Sequence, residues 1–226
     1  MAHDQEKAYE FERAEQTFIQ RVYQWMAIGL SVTGAVALWI AGSPALLRAL
    51  TGGVFLVLML IEIGIVFWLS SQVMKISSQA AITGFLVYSG LNGVILSTIF
   101  IVYTQTSIAS VFFMTAGTFA AVSIYGWTTK QDLTSMGSFL FMGLIGIIIA
   151  SLVNFFLRSP VIYWLISYAG LAVFIGLTAY DTQKLKRIQQ SGIGASEQVA
   201  ILGALQLYLD FINMFLMLLR IFGRRR

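Results

Sequence analysis

Three acidic residues, Glu62, Asp181 and Asp210, lie in or at the edge of long apolar runs. A charged side chain at membrane depth costs a few kcal/mol on insertion scales, so such residues mark candidate functional sites. Carboxyl groups exchange protons and supply oxygen ligands to hard cations, and this is the chemistry open to them. Glu62 is central in its run and could pair with Asn92 or Asn154, or reach a cavity.

Asp210 is the clearest of these candidates because it lies far from either polar flank of its run. Gln206, Asp210 and Asn213 are spaced four and three residues apart, so a helix places them on one face. Polar residues on one face of a membrane helix turn towards other helices or a water-filled cavity. A hydrogen-bonded structural stripe is the alternative interpretation, although a structural stripe rarely needs a carboxylate.

Asp181 is predicted to end the sixth helix at the cytoplasmic boundary, three residues after Thr178 and just before a basic segment. Taken alone, Asp181 is as consistent with an ordinary acidic residue at a helix end as with a functional one. The helix that contains Asp210 follows directly, so the two carboxyl groups could meet. Because Asp210 is predicted about 15 Å below a helix end, contact requires Asp181 to lie deeper than this boundary or the last helix to start lower.

The composition indicates which elements must hold these acids. Hydrophobic residues make up 58% of the 226 residues and charged residues 11%, against roughly 25% charged residues in soluble domains. A lipid-facing surface explains the deficit, and the basic residues beside apolar runs favour membrane anchoring over nucleic-acid binding. The sequence has one histidine, His3, and no cysteine, so it predicts neither a zinc cluster nor a disulfide.

Seven apolar runs each approach the roughly 20 residues that cross a bilayer. They lack the alternation of β-barrel strands, and short connections favour antiparallel neighbours. Residues 1–21 are a predicted polar cytoplasmic tail and not a signal peptide, because a full-length span follows them. We therefore predict an all-α integral membrane bundle in one domain, 22–226. Its helices are Val22–Ala41, Val54–Ser70, Ala80–Tyr103, Ile108–Trp127, Met136–Leu157, Val161–Tyr180 and Val199–Ile221.

The distribution of lysine and arginine predicts the orientation of the chain. Eight basic residues fall in the tail and the connections on its side, against two in the opposite connections, so the N-terminus is predicted to be cytoplasmic. The C-terminal run 224–226 and Arg220 disagree, because a seventh full span would export them. Either the last helix does not cross completely, or packing overrides the charge rule. We prefer a full-length helix and leave the side of the C-terminus open.

Two segments, Gly176-Leu-Thr-Ala-Tyr-Asp-Thr-Gln-Lys-Leu185 and Ala204-Leu-Gln-Leu-Tyr-Leu-Asp-Phe-Ile-Asn-Met-Phe-Leu216, closely resemble known signature regions. They are those of the transmembrane Bax inhibitor motif family, in its bacterial Bax inhibitor-1-like branch. The resemblance covers nearly the whole chain, including residues 107–110, 125–130 and 148–155. It implies six helices wrapped around a central C-terminal helix, a bacterial inner membrane location, no enzymatic activity and no cofactor.

The same resemblance implies a pH-sensitive calcium leak governed by a pair of aspartates, which Asp181 and Asp210 match. Two carboxyl groups in hydrogen-bonding reach should share a proton, and when both ionise they offer an oxygen site for Ca²⁺. In the family, a basic residue near the cytoplasmic end of the second helix can latch the first aspartate. Lys75 is the nearest candidate here, although its surroundings depart from the family pattern. The predicted supporting polar residues are Thr178, Gln206, Asn213 and Glu62.

Two other functions remain as alternatives. Paired aspartates on adjacent helices also describe intramembrane aspartyl proteases, and Tyr180-Asp181 reads as their first motif. Their second motif, Gly-x-Gly-Asp, is missing, because residues 207–210 are Leu-Tyr-Leu-Asp. The other alternative is a regulatory membrane protein that binds a membrane protease or another membrane protein. Nothing in the sequence separates this alternative from a leak.

Overall fold

The computed structural model describes residues 2–50, 52–191 and 196–226, with side chains from Phe18 onward. Almost all of these residues are helical, and the tail predicted at 1–21 continues as helix from Ala2 into the first span. The helices are α1 (Ala2–Ala41), α2 (Pro44–Ala49), α3 (Gly53–Gln72), α4 (Ser78–Leu96), α5 (Ile99–Val102), α6 (Gln105–Thr128), α7 (Thr134–Leu157), α8 (Pro160–Gln190) and α9 (Glu197–Phe222).

Seven helical segments in the described chain are long and apolar enough to cross a membrane. They are Phe18–Ala41 of α1, α3, α4 with α5, α6, α7, α8 and α9. The last of them is 72% buried over its most apolar stretch, whereas α3 and α7 are 6% buried. The all-α prediction with seven spanning helices is confirmed, and the last helix is the most buried of the seven.

The sixth predicted helix is longer than the sequence indicated. It was expected to end at Tyr180, yet α8 continues to Gln190, so the placement of Asp181 at a helix end is wrong. The basic residues after Tyr180 suggest a connection between helices, but lysine and arginine are good helix formers. Lys186 is also held on the helix by contacts to Trp127. Its Nζ donates to the Trp127 carbonyl at 2.7 Å and lies 5.6 Å from the centre of the ring.

The third predicted helix, Ala80–Tyr103, is interrupted near its end. α4 stops at Leu96, and the short helix α5 begins at Ile99. Between them the Ser97 and Thr98 hydroxyls donate to carbonyls three residues earlier, at 2.6 and 2.8 Å. Such side-chain bonds compete with the helical ladder and bend or break it.

The chain divides into two compact units, of which the first comprises Met1–Val102 and Arg187–Tyr208. In this unit α1 packs closely on α4, since a Cβ on Gly93 would lie 2.6 Å from the Thr33 carbonyl oxygen. The start of α9 is tied to α1 through Glu197, which accepts hydrogen bonds from Arg21 at 3.0 Å and Trp25 at 2.5 Å. An acidic residue in the first turn also suits the positive end of the helix dipole.

The second unit comprises Tyr103–Lys186 and Leu209–Arg226, and it contains both predicted aspartates. α6 and α8 approach so closely that a Cβ on Gly126 would lie 2.4 Å from the Ala179 carbonyl oxygen. A Cβ on Gly137 of α7 would likewise meet the Tyr180 ring at 2.5 Å. Both approaches hold α8 at the residues immediately before Asp181.

The end of α9 lies in the same unit and shows how long the last helix is. The helix runs to Phe222, so the prediction of a full-length last helix is confirmed. Beyond it, Thr104 donates its backbone N–H to the Arg224 carbonyl at 3.1 Å, and the Arg224 N–H donates to the Ser107 hydroxyl at 2.8 Å. The C-terminal segment therefore lies at the end of this unit where α6 begins.

We expect Gly126→Ala to destabilise the protein by about 1–3 kcal/mol, because the added methyl group meets backbone and not a movable side chain. Gly117→Ala is the matched control on the same helix, since nothing lies within 4 Å of its Cβ. That control should be neutral or slightly stabilising, because alanine favours helix over glycine. Thermal unfolding in detergent measures both, and equal effects of the two substitutions would contradict the close approach.

Candidate functional site

Asp210 occupies a buried position in the second half of α9. Its side chain is 5% exposed, and Phe211 beside it packs edge-on against Phe112 and Phe119 of α6. The Oδ2 atom of Asp210 is buried and receives no hydrogen bond from a donor among the described residues. A buried polar atom without a partner costs free energy, so this carboxyl group needs a proton, a cation or a second acid to share with.

Asp181 supplies that second acid. Its half-buried carboxyl group lies within hydrogen-bonding reach of the Asp210 carboxyl group. Because α8 continues to Gln190, Asp181 lies well inside the helix. From Asp181 to its end at Gln190, α8 extends for about 13 Å at 1.5 Å per residue. Asp181 therefore lies deep enough below the helix end to contact Asp210. The structure thus brings together the two aspartates that the sequence singled out.

Two touching carboxyl groups have a restricted set of charge states. When both are ionised, two negative charges repel each other away from water, so one shared proton links the pair and the two titrate together. Lys184, one turn further along α8, is the cation that acts on Asp181. The site therefore combines a shared proton with a nearby positive charge, that of Lys184.

The pair offers too few ligands for a resident metal ion. In the part of the chain that the structure describes, no group of three or more histidine, cysteine or acidic residues could hold one. Two carboxylates provide at most four oxygens, whereas Ca²⁺ takes about six to eight. Water or backbone carbonyls would have to complete the shell of such an ion.

The residues that follow Asp181 attach α8 to the connection between α6 and α7. The Gln183 amide donates to the Gln131 carbonyl at 2.8 Å and accepts the Leu133 N–H at 2.9 Å. The Thr182 hydroxyl donates to the Ser123 hydroxyl of α6 at 3.4 Å. Sequence reasoning missed these contacts because this segment read as a connection. The usable signal was the run of polar residues from Asp181 to Gln183 next to an apolar helix.

The supporting residues are bonded mainly within their own helices. The Thr178 hydroxyl donates to the Phe174 carbonyl at 2.8 Å, and the Asn213 amide donates to the Leu209 carbonyl at 2.8 Å. Gln206 is half-buried in the first unit. Their participation in the site stays a prediction.

Glu62 and Lys75 both belong to the first unit. Glu62 lies in α3 and accepts a hydrogen bond from the Asn92 amide of α4, so the first of its predicted pairings is confirmed. Asn154, the other suggested partner, accepts the Ser159 N–H at 2.9 Å. Lys75 is exposed in the turn after α3, and its role as a latch for Asp181 stays a prediction.

Comparison with known proteins gives matches over nearly the whole chain. The family described as "Inhibitor of apoptosis-promoting Bax1" matches residues 15–226. The inner membrane protein YbhL of Escherichia coli K12 is 52% identical over 217 residues, which cover 93% of each chain. An uncharacterized protein of Borreliella burgdorferi is 46% identical over 92% of each chain. The uncharacterized protein RP147 of Rickettsia prowazekii is 41% identical over 96% of this chain and 93% of its own.

The attachment of α8 to residues 129–133 can be tested with Gln183→Ala. Removing the amide leaves two backbone groups of the connection without partners, so we expect trypsin to cut after the exposed Lys130 about tenfold faster. Gln190→Ala, at the exposed end of the same helix, is the control and should leave the cleavage rate unchanged. Equal rates in the two variants would show that the amide does not hold the connection.

Proposed function

The chain belongs to the Bax inhibitor family that matches residues 15–226, and we propose that it is a pH-sensitive calcium leak channel of a bacterial inner membrane. Its seven spanning helices and its similarity to an inner membrane protein make it a multi-pass membrane protein. The observation that carries the proposal is the contact between the Asp181 and Asp210 carboxyl groups on α8 and α9. Calcium is the transported ion, and the proposal includes no catalytic step.

The pair would act as a gate through its shared proton. With one proton present, one carboxyl group donates to the other and joins α8 to α9. When that proton leaves, two adjacent carboxylates repel each other and expose oxygen atoms that attract a divalent cation. The cost of the two charges falls when Ca²⁺ or water enters between the helices, so ion entry and separation of the carboxyl groups would occur together.

The shared proton and the proposed Lys75 latch would give this gate opposite responses to pH. Loss of the shared proton separates the pair, so this contact alone makes the flux rise with pH. A latch between Lys75 and Asp181 works in the other direction, because protonating Asp181 weakens it and raises the flux in acid. The sign of the pH dependence therefore identifies the contact that dominates, and Lys75→Gln removes the second contribution.

The proposal is tested by calcium flux into liposomes that contain the purified protein. We expect the wild-type flux to change about tenfold between about pH 6 and about pH 8. Asp181→Asn should abolish this dependence, because Asp181 takes part in both the pair and the proposed latch. Asp210→Asn should remove the part that the shared proton causes, because an amide cannot exchange that proton. Asp132→Asn is the matched control, since Asp132 lies outside the membrane spans and its capping bonds to Thr134 suit asparagine as well.

Unchanged flux and unchanged pH dependence in both variants of the pair would contradict the proposal. Absence of flux from the pure protein at every pH, together with a co-purifying membrane protein, would favour the regulatory alternative. The protease alternative has less support, because residues 207–210 lie within the continuous helix α9 and Leu207 is 0% exposed. That segment lacks the glycines that would let an unwound backbone approach a substrate.

A further inference from the structure

A cavity of about 530 Å³ lies in the second unit, where the ends of α7 and α9 meet the start of α8. Its lining includes Arg158 from the connection between α7 and α8, and Arg220 and Arg225 from the end of α9 and beyond. The lining contains no acidic residue. Three guanidinium groups around one cavity without a carboxylate create a strong attraction for an anion.

Tyr163 of α8 orders two of these arginines. The guanidinium carbon of Arg220 lies 5.6 Å from the centre of the Tyr163 ring, and that of Arg225 lies 5.7 Å from it. Arg225 also donates from Nη2 to the Tyr163 hydroxyl at 3.2 Å. A guanidinium group over a ring keeps its N–H groups in its own plane. Arg225 uses part of its donors on the Tyr163 and Tyr103 hydroxyls, and its remaining N–H groups can bind an oxyanion.

The backbone around the cavity is fixed. Arg158 has a left-handed conformation, with φ 51°, that ends α7. Asn154 then accepts the Ser159 N–H at 2.9 Å, which holds the connection in place. On the other side, Arg224 is bonded through its backbone to Thr104 and Ser107. The three arginines thus project from anchored segments and not from a free tail.

The chain on either side of Arg158 is apolar and exposed. Phe156 and Val161 are 80% and 76% exposed, and Leu165, one turn further along α8, is 66% exposed. In addition, Trp164 lines the cavity itself, and tryptophan favours the boundary between hydrocarbon and headgroups. Exposed apolar side chains beside a basic cavity match a lipid, whose acyl chains cover the apolar residues while its phosphate enters the cavity.

We propose that this cavity binds the phosphate of an anionic phospholipid, with Arg220 and Arg225 donating to the phosphate oxygens and Arg158 adding a third positive charge. Arginine forks bind phosphate oxygens in pairs, which gives the site geometric selectivity as well as charge. The site also gives a role to Arg220 and Arg225, which depart from the preference of basic residues for the cytoplasmic side. In the predicted orientation they lie on the outer side, where a bound anionic headgroup would neutralise them.

Lipid binding by the purified full-length chain in neutral detergent tests this proposal, with native mass spectrometry as the readout. The probes are phosphatidylglycerol, phosphatidylcholine and inorganic phosphate. We expect phosphatidylglycerol to bind more tightly than phosphatidylcholine, and Arg220→Gln or Arg225→Gln to raise its Kd about tenfold. Arg224→Gln is the matched control, since this neighbouring arginine does not line the cavity, and it should leave the Kd within about twofold.

Unchanged phosphatidylglycerol binding in the Arg220→Gln, Arg225→Gln double variant would overturn the site. Equal binding of the two lipids would overturn recognition of an anionic headgroup. Displacement of phosphatidylglycerol by an equal concentration of inorganic phosphate would overturn the lipid as the ligand. If Arg220→Gln lowers thermal stability without lipid, Arg225→Gln carries the test, because its residue lies beyond the last helix.

Discussion

The removal of the Asp210 carboxyl group from water is the constraint on which the site depends. A carboxyl group that is buried within a membrane-spanning helix has few acceptable surroundings. Asp181 meets this requirement only because α8 extends beyond Tyr180 and places a second carboxyl group at the matching depth. The close packing of α6 against α8 at Gly126 then fixes the helix at the level of Ala179.

Hydroxyl groups in the membrane-spanning helices impose no comparable constraint. Thr115 and Thr178 donate to carbonyl groups four residues earlier in their own helices, at 2.8 Å in each case. Ser151 does the same at 2.7 Å. A hydroxyl group can therefore satisfy its hydrogen bonding locally, whereas a carboxylate only accepts and finds no donor in a helical backbone. This difference explains why the acids, and not the more numerous hydroxyl residues, create a candidate site in this chain.

The sequence was a good guide to the spanning helices and to Asp210, because bilayer thickness dictates the length of apolar runs and an isolated central acid is conspicuous. It was a poor guide to the end of α8, since the basic residues after Tyr180 resemble a connection until the contacts of Lys186 with Trp127 are known. The hydrogen bond from Leu133 to Gln183 joins residues 50 positions apart, and no local sequence pattern predicts such a contact. Long-range packing therefore determines the depth of Asp181, and local charge does not.

The bonds of Gln183 also limit how the two carboxyl groups can come apart. Because Gln183 and Lys186 tie α8 to residues 127–133, a rotation or slide of α8 would carry the α6–α7 connection with it. In the proposed gate, the part that separates from the later half of α9 would be a three-helix segment, in which α6, α7 and α8 keep their mutual contacts. The loss of one proton in this gate would therefore move three helices together and not one side chain alone.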